Sequence, residues 1–322
     1  MASDRARPSN DSVSWVVIAA LIACVAGSEL ASPMAIELAS LAKLGLACGL
    51  LAGAAIFYRR VRVNERFSAC CIGLAQALVF SAAGSILSYL IARQGGALWD
   101  ATLQHWDRAM GVDWLAYVRA VDAHAWAALP FRFGYESLIP QTIVAILALG
   151  FSGKLDRLRM FILAAMLSGT AAVLASPLFA AVGNFAYLGL RPADFSHVWQ
   201  SSGLADVRDC LALRHGSMAT LDLRTMQGII VFPSYHGALA TVTLWAFWTS
   251  GLRWLRWIGS ATALTTIAAT PVFGGHYFVD VLAGIAIAAL SIAAARRLVF
   301  VRVRFPAITA LPFRRSRGVF AR

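Results

Sequence analysis

Charge is scarce in this chain, and acidic charge is scarcest. Only 14% of the 322 residues are Asp, Glu, Lys or Arg, with 16 acidic side chains against 28 basic ones. The sequence has no soluble domain, internal repeat or low-complexity linker. Cysteines number five: Cys24, Cys48, Cys70 and Cys71 lie in apolar runs and Cys210 stands alone in a long loop. No pair has metal-site spacing, and a solitary loop cysteine excludes a disulfide to a second loop cysteine. Buried apolar thiols are the simpler reading. The short polar lead from Met1 to Ser12 precedes a span of ordinary length without a small-residue cleavage site, so the N-terminus reads as retained.

What the chain has instead is hydrophobic length. Apolar side chains make up 59% of it, in stretches near the ~20 residues that cross a bilayer. The pattern predicts an all-α, polytopic membrane helical bundle with eight spans. These are Val13 to Leu30, Ala35 to Phe57, Phe67 to Ile91, Phe131 to Phe151, Met160 to Val182, Phe232 to Ser250, Leu255 to Val272, and His276 to Ala295.

The net charge of +12 is a topology signal. Basic clusters occur at Arg59 to Arg66, Lys154 to Arg159, Arg253 and Arg256, and in the tail from Arg296 to Arg322. With eight spans all of these fall on one side with Arg5 and Arg7, which the positive-inside rule assigns to the cytoplasm together with both termini. The tail is suited to anionic lipid headgroups, and no nucleic-acid partner is implied. The long loops Ala92 to Pro130 and Gly183 to Val231 carry mixed charge, and all six histidines map to that outer side.

The chain divides into a three-span scaffold (1–92), an outer amphipathic loop (93–130), a helical core (131–297) and a basic cytoplasmic tail (298–322). In the outer loop Trp99, Trp106, Trp114, Tyr117 and Trp126 alternate with Asp100, Asp107, Arg108, Asp113 and Asp122. That mixture fits short helices at headgroup level, either as an interfacial belt or as a guide for lipid. Arg132 and Glu136 are i,i+4 partners, forming an ion pair or lining a headgroup pocket. The second outer loop brings Arg191, Arg208, Arg214 and Arg224, whose forked donors suit phosphoryl oxygens.

The chemistry concentrates in two segments. In Gly-Gly-His-Tyr-Phe-Val-Asp, His276 and Asp280 are spaced to leave one helix face a turn apart. Pro233-Ser234-Tyr235-His236 reads as a helix start, with proline in the first turn and free N–H groups plus a serine hydroxyl facing an anion. Ionisable groups set into membrane helices are costly unless used. Phosphoryl transfer through a phosphohistidine uses all of them and requires no metal or other cofactor. His276 is the nucleophile, Asp280 orients it, and His236 exchanges protons with the leaving and incoming oxygens. Ser234, Tyr235, Gly275 and the arginines 132, 191 and 214 are the candidate substrate-binding residues. A proton relay or transporter uses the same ionisable groups without phosphorus chemistry.

These segments resemble the type-2 phosphatidic-acid phosphatase superfamily. Its pattern is Lys-x6-Arg-Pro, then Pro-Ser-x-His, then Ser-Arg-x5-His-x3-Asp. Here the second is Pro233 to His236 and the third keeps His276 and Asp280, which implies the nucleophile, orienting and acid/base roles just described. Ala269 and Thr270 stand where Ser-Arg is expected, and Asn184 stands where lysine is expected ahead of Arg191-Pro192. The resemblance covers roughly Phe131 to Arg297. The missing cations, the His-Tyr-Phe-Val-Asp form and Leu213-Arg214-His215-Gly216 are similar to the branch of inositol phosphorylceramide synthases and related bacterial proteins. The implied protein is a lipid phosphatase or phosphotransferase of a bacterial inner membrane, with its site facing the periplasm. Its partners are a lipid phosphate and water, or an alcohol or lipid acceptor.

Overall fold

A bilayer offers no hydrogen-bond partners to the backbone, so long apolar runs satisfy their N–H and C=O groups internally as helices. The computed structural model describes residues 10–198, 203–223, 226 and 228–301. Arg5, Arg7, Arg224, Gln227 and the basic tail beyond Val301 lie outside the described residues.

Three long helices open the chain: α1 (Ser12–Ala31), α2 (Leu38–Arg60) and α3 (Glu65–Ala92). The outer loop then folds as α4 (Asp100–Ala109), α5 (Trp114–Asp122) and the start of α6 (Ala125–Glu136), which leads into α7 (Leu138–Phe151). After α8 (Leu155–Ala175) come the single turn α9 (Asn184–Tyr187) and α10 (Gly203–Arg214). The last three are α11 (Tyr235–Thr249), α12 (Ser260–Phe273) and α13 (Phe278–Leu298). Two strands of two residues pair in parallel, Ala35 with Thr220 and Ile36 with Leu221. They tie the α1–α2 link to the second outer loop.

All eight expected spans are helical, but they are not equal. Among the described residues five stretches are long and apolar enough to cross a membrane, and α6 with α7, bent by 55°, makes up to six. α11 has 15 residues, short of the ~20 required for a full crossing. α12 has 14, but the π-helical turn Leu255–Gly259 runs directly into it, so that helix is continuous from 253 to 273. The fourth span is broken where Pro140, in the first turn of α7, denies an N–H to the carbonyl of Glu136. The Gly134 carbonyl freed near this break accepts from the Thr266 hydroxyl at 2.7 Å and from Gln141 at 3.3 Å.

One core joins α1, α3, α7, α8, α11 and α13 through residues such as Leu21, Phe80, Ile146, Phe161, Val242 and Ala288. Small residues let these helices approach closely. The outward faces carry exposed Leu46, Leu50, Leu264 and Leu290, as a hydrocarbon surround allows. The outer helices are more than an interfacial belt. Trp114 Nε1 donates to the Pro271 carbonyl at 2.9 Å, and the Tyr117 hydroxyl to that of Ala268 at 3.0 Å, which docks α5 on α12.

Candidate active site

The two histidine segments meet at one end of the bundle. Ser234 is the N-cap of α11, its hydroxyl accepting the Gly237 N–H at 3.2 Å. Pro233 therefore precedes the cap rather than occupying the first turn. His236 follows in that turn, and its ring centroid lies 6.3 Å from that of His276. The Tyr135 ring, carried by α6, stacks on His236 at 4.8 Å and 12°.

His276 is placed differently from the expected helical face. It stands in the loop before α13, whose N-cap is Tyr277. Asp280 folds back as the N3 member of a capping box and accepts the Tyr277 N–H at 2.9 Å. That reversal, rather than i,i+4 stacking along a helix, brings Asp280 Oδ2 to 3.4 Å from His276 Nδ1. A nearer acceptor is the Val231 carbonyl, 2.9 Å from Nδ1. The proton therefore resides on Nδ1, and the Nε2 lone pair faces Ser234 Oγ at 3.3 Å. Burial lowers the His276 pKa to about 4 against the opposing Val231 bond, so the ring is neutral near pH 7. Asp280 is wholly buried, and its Oδ1 has no hydrogen-bond partner among the described residues.

α11 and α13 can cross this tightly because of Gly284. A Cβ there would lie 2.3 Å from the Ser234 carbonyl oxygen. The Ser234 N–H in turn donates to the Asp280 carbonyl at 3.0 Å. Gly275, with φ of +64°, turns the chain into His276 through a conformation that favours glycine. Its carbonyl accepts the Asn184 N–H at 2.9 Å.

Two buried carboxylates from α4 complete the surround, and nothing in their loop composition marked them out. Asp107 accepts the N–H groups of Phe278 and Val279, both at 2.9 Å. Burial raises its pKa above the ordinary aspartate value, against those two bonds. Asp100 accepts from the Tyr277 hydroxyl at 2.9 Å and from the N–H groups of Val182 and Gly183. Asp122, at the end of α5, holds the second outer loop by accepting from Ser196, His197 and Val198. Burial works to raise the Asp122 pKa, but these three bonds outweigh it and the net shift is downward.

The arginines chosen for phosphate are engaged elsewhere. Arg132 pairs with Glu136 at 2.8 Å, the ion-pair alternative. Arg191, its side chain 79% exposed, lies 3.9 Å from Asp194. Arg214 donates to the Gly96 carbonyl and lines a small cavity whose wall includes Val231 and Phe232. Tyr235 turns to α8, its hydroxyl donating to the Ala165 carbonyl at 3.3 Å. Asn184 is brought to the His276 loop, with Nδ2 3.4 Å from the His276 carbonyl. Ala269 and Thr270 are fully buried in α12, and the Thr270 hydroxyl bonds back to Thr266 at 2.7 Å.

An α-helical membrane bundle with two convergent imidazoles, a serine-capped helix start and a buried carboxylate defines the class. A family model described as the PAP2 superfamily matches residues 101–294. That is more than half of the chain, which belongs to the PAP2 superfamily. Membership supports an enzyme of the phosphatase or phosphotransferase kind and an integral membrane protein. The matched stretch starts inside α4, so it takes in the outer helices that precede the expected core at Phe131. No curated protein and no solved structure matches the chain.

Proposed function

We propose that the protein is a lipid phosphatase or phosphotransferase working through a phosphohistidine on His276. The observation that carries this reading is the Nδ1 bond to the Val231 carbonyl, which leaves Nε2 unprotonated beside Ser234 and within one substrate's width of His236. In the first step Nε2 attacks phosphorus, the ester P–O bond breaks, and His236, which takes up a proton when the anionic phosphate enters beside it, gives that proton to the leaving oxygen. The N-phosphorylated ring keeps its Nδ1 proton and becomes cationic, a charge offset by Asp280 and the Val231 carbonyl dipole. In the second step His236 takes a proton from water or an alcohol, whose oxygen attacks phosphorus as the N–P bond breaks. Ser234 and the N–H groups of Tyr235 and His236 at the start of α11 are the donors assigned to the equatorial oxygens in this reading.

Transfer to an alcohol is the second reading. It is favoured by Ala269 and Thr270 in place of the Ser-Arg pair, as in the inositol phosphorylceramide synthase-like branch. The basic clusters favour eight passages, with both termini cytoplasmic and the site on the periplasmic face of a bacterial inner membrane. For this arrangement α11 crosses a locally thinned or partly covered layer. The division at residues 92, 130 and 297 follows the same reading.

The test is purified protein incubated with phosphatidic acid, with and without an alcohol acceptor, and assayed for free phosphate, new lipid product and acid-labile phosphoprotein. Loss of all three in His276→Ala, with the fold retained, is the expected result. Undiminished turnover in that variant would overturn the nucleophile assignment.

A further inference from the structure

Two adjoining cavities lead away from His236, which lines the nearer one. The first, ≈ 500 Å³, has His236, Tyr135, Glu136, Ser85 and Ser88 in its wall. The second, ≈ 340 Å³, runs among Leu74, Ala77, Ile143, Ile146, Phe161 and Met166. Phe80, Ser81, Ile139, Tyr235 and Leu239 line both, making them two lobes of one groove. Its polar groups gather at the His236 end and its far lobe is almost wholly apolar. Between Ser88 and Leu74 the groove follows α3 for about 21 Å, longer than the roughly 15 Å of one leaflet in a ~30 Å hydrocarbon core. The lobe is an open groove with exposed Ile139 and Ile143 at its rim, and an apolar groove of this size favours hydrocarbon over water as its filling.

We infer that this groove takes up the hydrocarbon chain of the substrate, so that the chain is held inside the bundle rather than left in the surrounding lipid. The inference rests on the lipid-phosphate reading of the site and adds the location of the chain. What argues for a substrate chain over any other apolar occupant is continuity with the catalytic end. The same cavity wall carries His236 and, one lobe further, Ala77 and Leu74. It also assigns a role to the helices outside the matched stretch: α3 supplies one side of both lobes, and Leu51 of α2 contributes to the second. Chain-length selection is then written in helices that the family's own segment does not contain.

The test uses the full chain in detergent with octanoyl and oleoyl phosphatidic acids, and two substitutions of opposite effect. Ala77→Trp fills the far lobe and lowers the ratio of oleoyl to octanoyl turnover about ten-fold, while Leu74→Ala enlarges it and raises that ratio. Native mass spectrometry supplies a readout that does not need turnover. The wild type retains oleoyl phosphatidic acid in preference to phosphatidylcholine, and Ala77→Trp loses that preference. If neither variant moves the turnover ratio or the retained lipid while both unfold like the wild type, the inference is wrong. Preferred retention of phosphatidylcholine by the wild type also overturns it, marking a structural lipid site. If Ala77→Trp does not fold, Leu74→Ala decides alone. Retention of oleoyl phosphatidic acid without any turnover would sink the enzymatic reading and leave the groove standing.

Discussion

The rings of Tyr135 and His236 lie nearly parallel, 4.8 Å apart at 12°. Tyr135 reaches this position because α6 ends just beyond it, at the break before α7. The stack fixes the plane of the imidazole proposed to exchange protons with substrate oxygens. Aromatic pairing of this kind is worth about 0.5–1.5 kcal/mol, or roughly two- to ten-fold in rate. Tyr135→Leu should therefore lower kcat by about that factor with KM little changed, and Tyr135→Phe should retain more activity. Equal losses in the two variants would show that the ring stack is not what positions His236.

Asp107 caps α13 from outside the bundle. Its removal in Asp107→Ala leaves two N–H groups without their acceptor and should cost about 0.5–2 kcal/mol. A lowered thermal midpoint in detergent is the readout, with Asp107→Asn milder. An unchanged midpoint in the alanine variant would mean that the cap contributes nothing.

Asp280 shares the Nδ1 proton with the Val231 carbonyl, which a side-chain substitution cannot remove. Asp280→Asn should thus lower kcat by roughly 10²-fold, less than the ~10⁴-fold seen where a carboxylate is the imidazole's only anchor. His276→Ala should exceed both. Single-turnover measurement of phosphoenzyme formation separates the cases, and an Asp280→Asn loss as deep as that of His276→Ala would argue that Val231 plays no part.

Gly284→Ala places a methyl 2.3 Å from the Ser234 carbonyl oxygen and must push α11 from α13. Overpacking of this kind costs about 1–3 kcal/mol, and the shift separates Ser234 from His276. Activity should fall sharply while protein still accumulates in the membrane. Gly49→Ala is the control, since nothing lies within 4 Å of a Cβ there. A Gly284→Ala enzyme as active as the control would contradict the close-contact reading.

Much of the site is readable from residue type and spacing. His236, His276 and Asp280 come together, with Ser234 at the helix start, because each lies at the same end of an apolar run. What escaped was governed by backbone geometry. The x3 spacing of His276 and Asp280 fits a helix face and a capping box equally well, and Tyr277 as N-cap selects the second. Val231 acts through a carbonyl, which carries no side-chain signature. Asp100 and Asp107 look like solvated loop charges until the N–H groups they accept are known. The arginines were the least legible, because a long cationic side chain has many possible partners: Arg132, Arg191 and Arg214 lie against Glu136, Asp194 and Gly96. At the level of the fold, hydropathy located the helical segments but not the brevity of α11 or the break between α6 and α7.

Asp100 links α4 to the 182–183 turn and to Tyr277, the residue next to His276. The His276 loop thus hangs from a helix whose other flank exposes the polar side chains of His105 and Arg108. An antibody fragment that pries α4 loose would silence the enzyme without entering the bilayer, a route to inhibition open to molecules too large and too polar to follow the substrate.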